Sequence, residues 1–132
     1  MFIVGVKEVA EILNWSRKKV SVYHPRGNFP KPISTLSSGP VWFKEQIVYY
    51  RDIKLEQKKV YYAKNKIVYE CFYNRAPVIS DRTIESVVRD SSCIFLFEHE
   101  DIKDLISKIQ KNSGEITMRM ALIIDFNLHL LD

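Results

Sequence analysis

The sequence predicts an α+β protein, with helix, helix, β-hairpin and helix in that order, followed by a small α+β unit. Three observations carry this. Residues 6–23 hold two short apolar stripes at helical spacing, broken at Asn14 and Trp15. Proline, glycine and serine punctuate residues 25–40 and frame a short hairpin. From Val60 onward the chain becomes rich in Tyr, Val and Ile, the composition of strands.

In order, residues 6–14 place Val6, Val9, Ala10, Ile12 and Leu13 on one stripe, with Lys7, Glu8 and Glu11 facing water, and Gly5 is the expected N-cap. Ser16 is the expected N-cap of a second helix over 17–23, with Val20 and Tyr23 inward and Arg17, Lys18 and Ser21 outward. Pro25 disfavours helical geometry at His24, and Gly27 follows, so this helix stays short. Phe29-Pro30-Lys31-Pro32 must run extended because two prolines flank one residue. Residues 33–36, the turn 37–40 and residues 41–43 form strand, turn and strand. A third helix begins at Lys44, with Ile47, Tyr50 and Ile53 inward and Lys44, Glu45, Arg51 and Asp52 outward. Residues 55–59 either continue that helix or link two units, 1–58 and 59–132.

The second unit is expected to open with two strands over 60–73, turning at Lys64-Asn65-Lys66. Asp81 is the expected N-cap of a helix over 82–89 whose apolar face is Ile84, Val87 and Val88. The unbroken apolar run Cys93–Phe97 suggests a buried strand. A helix over 101–111 follows from Ile102, Leu105, Ile106 and Ile109, and stops at Asn112-Ser113-Gly114. Residues 116–131 alternate with period two through Met118, Met120, Leu122, Ile124, Phe126, Leu128 and Leu130. Strand is the favoured reading there, helix the alternative.

Charge divides the two halves. Residues 1–66 carry 13 Lys and Arg against 5 Asp and Glu, and residues 67–132 carry 7 against 11, so a net +8 sits beside a net −4. A basic unit suits a polyanion, and the acidic unit should stand away from it. No apolar run approaches the roughly 20 residues of a membrane-spanning helix, and residues 1–6 have neither the basic end nor the apolar length of a signal peptide. Two cysteines make no disulfide framework, so a reducing cytoplasm is expected.

Helix, turn, helix, hairpin and helix is the order of a winged helix-turn-helix. The run Val6-Lys7-Glu8-Val9-Ala10-Glu11-Ile12-Leu13 followed by Trp15-Ser16 resembles the opening of the AlpA-like, excisionase-like and MerR-like domains of this type. Phe29-Pro30-Lys31-Pro32-Ile33, then Trp42 and Glu45-Gln46-Ile47, resembles the AlpA-like and excisionase-like branch. The resemblance spans residues 4–53. It implies double-stranded DNA as partner, with the second helix in the major groove and the wing on backbone or minor groove. The serine-rich turn Ser37-Ser38-Gly39-Pro40 departs from the basic or glycine-rich tips common among such domains.

The expected DNA-contacting residues are Ser16, Arg17, Lys18, Ser21, Arg26, Lys31, Ser37 and Ser38. Arg17 and Lys18 can meet guanine edges or phosphates, the serines are short donors, and Arg26 and Lys31 stand where flanking phosphates would pass. Trp15, Tyr23, Phe29 and Trp42 are read as core rather than base-stacking groups.

No glycine-rich phosphate loop is present, since Gly5, Gly27, Gly39 and Gly114 are isolated. Cys71, Cys93, His99 and His129 lack metal-ligand spacing. Glu98, Glu100, Asp101 and Asp104 are read as a solvated helix start. The expectation is therefore a non-enzymatic, cofactor-free regulator from a prokaryote or phage, dimeric through residues 59–132, since one small domain reads few bases. Two alternatives stand beside it. One is a protein-binding inhibitor or adaptor that uses an acidic surface with exposed Tyr69 and Tyr73, its N-terminus being autoregulatory. The other is an excisionase-like architectural factor.

Overall fold

The computed structural model describes residues 3–73, 75–98 and 116–126, together with Ser107 and Leu128. It is a mixed α+β structure with two sheets.

The first part contains β1 (Ile3–Val4), α1 (Val6–Leu13), α2 (Arg17–Tyr23), a 3-10 turn (His24–Arg26), β2 (Ser34–Leu36), β3 (Gly39–Phe43) and α3 (Lys44–Glu56). α1 opens with the Gly5 amide donating to Glu8 Oε2 at 3.2 Å, and ends where Asn14 enters the left-handed region at φ 56°. Ser16 Oγ then accepts from the Lys19 amide at 3.1 Å and starts α2 as its N-cap. β3 is the central strand of a three-stranded antiparallel sheet, with β1 on one side and β2 on the other. β1, two residues long, is too short to show a period in the sequence. The hairpin turns at Ser37-Ser38 between Leu36 and Gly39, and Gly39 takes φ 120°, a value that side chains resist. Val4, Val9, Ala10, Val20, Phe29, Trp42, Ile47 and Tyr50 close over one another as a core, and Trp42 Nε1–H donates to the Pro30 carbonyl at 2.9 Å. The extended proline segment is thus pinned to the sheet.

The second part contains β4 (Lys59–Lys64), β5 (Ile67–Cys71), β6 (Val78–Ile79), α4 (Ile84–Val88), β7 (Cys93–Phe97) and α5 (Met118–Asp125). Its sheet runs β6-β5-β4-β7, antiparallel except for the parallel pair β4 and β7. Asn65 and Lys66, at φ 51° and 65°, make the two-residue hairpin whose twist suits paired strands. One sheet face offers Val60, Tyr62, Cys71 and Leu96 to Ala121, Leu122, Ile123 and Phe126 around α5. The other offers Tyr61 and Val68 to Val87 of α4. Arg82 fastens α4 to β7, with Nη1 3.2 Å from Asp90 Oδ2 and 3.3 Å from Cys93 Sγ.

The two parts share a core. Phe43 and Ile53 lie in the cluster that Tyr62 and Leu122 occupy, and α3 packs on α5. Each fully buried Leu or Ile at that seam contributes about 1.5–3 kcal/mol.

Five expectations need correction. Residues 116–131 do not form a strand: α5 is a helix, N-capped by Thr117 Oγ1, which accepts from the Met120 amide at 3.2 Å. The alternation misled because apolar residues also fill the odd positions. Ala121 and Ile123 are as buried as Leu122, so α5 is surrounded rather than half-exposed. Thr83, not Asp81, caps α4, which is shorter than 82–89, and Val88 points outward. Tyr23 is exposed, leaning on Trp15 at 5.4 Å between ring centroids. Within β7 only Leu96 is buried, since β7 lies at an edge of the described sheet. The two tyrosines offered as an exposed aromatic surface are not exposed: Tyr69 packs against the core and Tyr73 sits between Tyr50 and Phe126. Residues 55–56 continue α3 and the strand starts at Lys59. The expected helix over 101–111 lies outside the described residues, Ser107 apart.

Candidate nucleic-acid interface

α2 is anchored by one side chain. Val20 is fully buried, whereas Arg17, Lys18, Lys19 and Ser21 are exposed. Residues three and four apart share a helix face, so Arg17, Lys18 and Ser21 form one contiguous patch over the first turns. Lys19 leaves that patch: its Nζ lies 4.2 Å from the centre of the Trp15 ring and 5.5 Å from that of Tyr23. Ser16 stands at the start of the same helix. Its Oγ is occupied as an acceptor by the cap, and its hydroxyl hydrogen can still donate outward.

Arg26 follows on the 3-10 turn that continues α2, and it too is exposed. Ser37 and Ser38 form the exposed tip of the β2–β3 hairpin. The Lys31 side chain is exposed on the proline segment while its backbone is held from below. Among the described residues Arg17, Lys18, Arg26 and Lys31 have no ion-pair partner. No Asp or Glu occurs between Glu11 and Glu45, and six Lys and Arg do. This acid-free stretch embraces α2, the proline segment and the hairpin. It is a sequence signal that half-chain charge counts blur.

Beneath this surface lies a polar seam that sequence reasoning missed. Gln46, fully buried on α3, bonds three ways. Its Oε1 accepts from the Phe43 amide at 2.8 Å, and its Nε2 donates to the Lys31 carbonyl and to Asp125 Oδ1, each at 2.7 Å. The Lys31 amide faces the same carboxylate. Burial pushes the Asp125 carboxyl well above the ordinary carboxylate range, and the Gln46 and Lys31 donors oppose that shift. Asp125 Oδ2 has no hydrogen-bond partner among the described residues. No spacing marks the pair: Gln46 is a polar residue in the first turn of α3, and Asp125 a lone polar residue in an apolar run.

Aromatic rings connect the two parts. Trp15 meets Phe29 and Tyr50, Tyr50 meets Tyr73 at 5.1 Å, and Tyr73 meets Phe126 at 4.5 Å. His24 packs edge-on against Trp42 at 5.4 Å, and its burial lowers the imidazole pKa, so it adds no charge to the surface at neutral pH. Burial likewise pushes the Cys71 thiol up to about 12, which keeps it protonated and unreactive. The described residues include no cluster of His, Cys, Asp and Glu suited to a metal ion, and no helix long and apolar enough to cross a membrane. His99, Glu100, Asp101, Asp104 and His129 lie outside the described residues.

No protein-family model, curated protein or solved structure matches the chain.

Proposed function

We propose that this chain is a sequence-specific DNA-binding protein of the winged helix-turn-helix kind, a prokaryotic or phage regulator that acts as a dimer. The observation that carries the reading is the exposed, unpaired patch Arg17, Lys18 and Ser21 on a helix anchored by buried Val20, within a stretch free of acids. In this reading α2 enters the major groove. Arg17 and Lys18 meet base edges, Ser16 and Ser21 donate to phosphates or bases, and Arg26 and Lys31 neutralise the flanking backbone. The short hairpin tip, Ser37-Ser38, reaches the backbone through hydroxyls rather than charge. The order of α1, α2, β2, β3 and α3, and the resemblance of residues 4–53 to AlpA-like and excisionase-like domains, support it further. A patch this small reads few bases, so two copies on paired half-sites provide the specificity, joined through residues 59–132.

Selection of bound duplexes from a random pool tests the reading, with light scattering on the free chain. The expected result is an enriched motif in two half-sites and a dimer mass. Directly repeated sites bound cooperatively would reassign the protein as an architectural factor. Absence of any enrichment, with a folded monomer, would reject DNA recognition.

A further inference from the structure

Asp125 lies 94 positions along the chain from Lys31, yet the two meet through Gln46. The backbone of Lys31 is held at its carbonyl, which accepts from Gln46 Nε2 at 2.7 Å, and the same Nε2 donates to Asp125 Oδ1. The adjoining Pro30 carbonyl is taken by Trp42 Nε1. Pro30 and Pro32 fix φ on either side, so the remaining freedom of this segment is the rotation of the Lys31 peptides, and those hydrogen bonds remove it. Both Gln46 and Asp125 are fully buried, where a polar group is costly unless it is hydrogen-bonded, and the two bond each other. A helix such as α5 could pack on α3 through apolar contacts alone, as Leu122 and Phe126 do. The carboxylate is joined to the proline segment through Gln46, whose Nε2 donates to both.

We propose that Asp125, acting through Gln46, is a positioning residue for DNA binding that sets the direction in which the Lys31 side chain leaves the protein. This rests on the DNA-binding reading above. The C-terminal helix thereby takes part in the interface without touching nucleic acid. Asp125 stays buried, out of reach of phosphates, while the Lys31 side chain is exposed to them.

The test measures affinity of the full chain against salt concentration, on the duplex most enriched by the wild-type chain, for K31A, D125A and the double variant. Loss of one phosphate contact lowers the slope of log K against log salt by about 0.9, equivalent to about fivefold in affinity at 0.15 M salt relative to 1 M. D125A is expected to lower the slope as K31A does, and the double variant to go no further. A purely structural Asp125 would instead lower the melting temperature and leave the slope at the wild-type value. That result overturns the proposal, as does a K31A slope equal to wild type. Should D125A not fold, Q46L takes its place: it fills the site with an apolar side chain of similar size and is expected to behave as D125A does. Failure of the wild-type chain to bind any duplex at low salt would remove the DNA-binding reading itself, an outcome visible before any variant is made.

Discussion

The two hydrophobic clusters of this protein are assembled from different distances. The cluster around Trp42 is centred on residues 4–50, with the rings following one another along a short stretch of chain. The cluster around Tyr62 and Leu122 needs Phe43 and Ile53 from one end and Leu128 from the other. Closing long loops costs entropy before any contact repays it, so the second cluster forms only when most of the chain is in place. The difference separates two tasks. A locally determined scaffold carries the outward basic patch of α2, and a long-range seam under α3 closes the scaffold's inner side.

The largest effects should come from the cores, and they decide whether the two clusters melt as one. Trp42→Ala removes a fully buried ring that also holds Pro30, and is expected to cost about 3–5 kcal/mol in chemical denaturation. Because Phe43 and Gln46 tie the clusters together, a single transition should shift as a whole. A surviving second transition would break the picture of a shared core. Leu122→Ala approaches from the other side, with about 2–5 kcal/mol expected. Here the reporter is tryptophan fluorescence, since Trp15 and Trp42 both belong to the first cluster. Its midpoint should fall with that of far-UV circular dichroism. A fluorescence midpoint that stays put would mean that the scaffold folds alone.

Surface changes should leave stability untouched and strike binding. Arg17→Ala and Lys18→Ala are each expected to cost about 1–3 kcal/mol in affinity for the selected duplex, at an unaltered melting temperature. Equal affinity for wild type and variants would move the recognition surface away from α2. The smallest and sharpest contrast lies between two helix caps. Ser16→Ala and Thr117→Ala each remove one cap bond and should each cost about 1 kcal/mol of stability. Only the Ser16 variant should also weaken DNA binding, because its hydroxyl lies on the proposed interface. Identical binding by both variants would reduce Ser16 to its role in the fold.

In the first part the order of the elements, β1 apart, could be read from the sequence. Ser16 capping α2, the Phe29–Pro32 segment and the inward set Ile47, Tyr50 and Ile53 stand where spacing and cap chemistry put them. The turn expected over 37–40 tightens to Ser37-Ser38, because Gly39 and Pro40 join β3. These features are local: a cap bond spans three residues, a hairpin turn two, and a half-buried helix shows its buried side as a period. Tertiary structure alone decided the rest. α5 is buried on nearly every side, so its sequence carries no period to separate helix from strand, and only Thr117 hints at its start. Tyr73 looks like a surface aromatic until Tyr50 and Phe126 close on it. Gln46 and Asp125 acquire their meaning from a hydrogen bond across 79 positions, and no local rule reaches that far. Periodicity records a boundary between water and core, and it falls silent where a segment has core on every side.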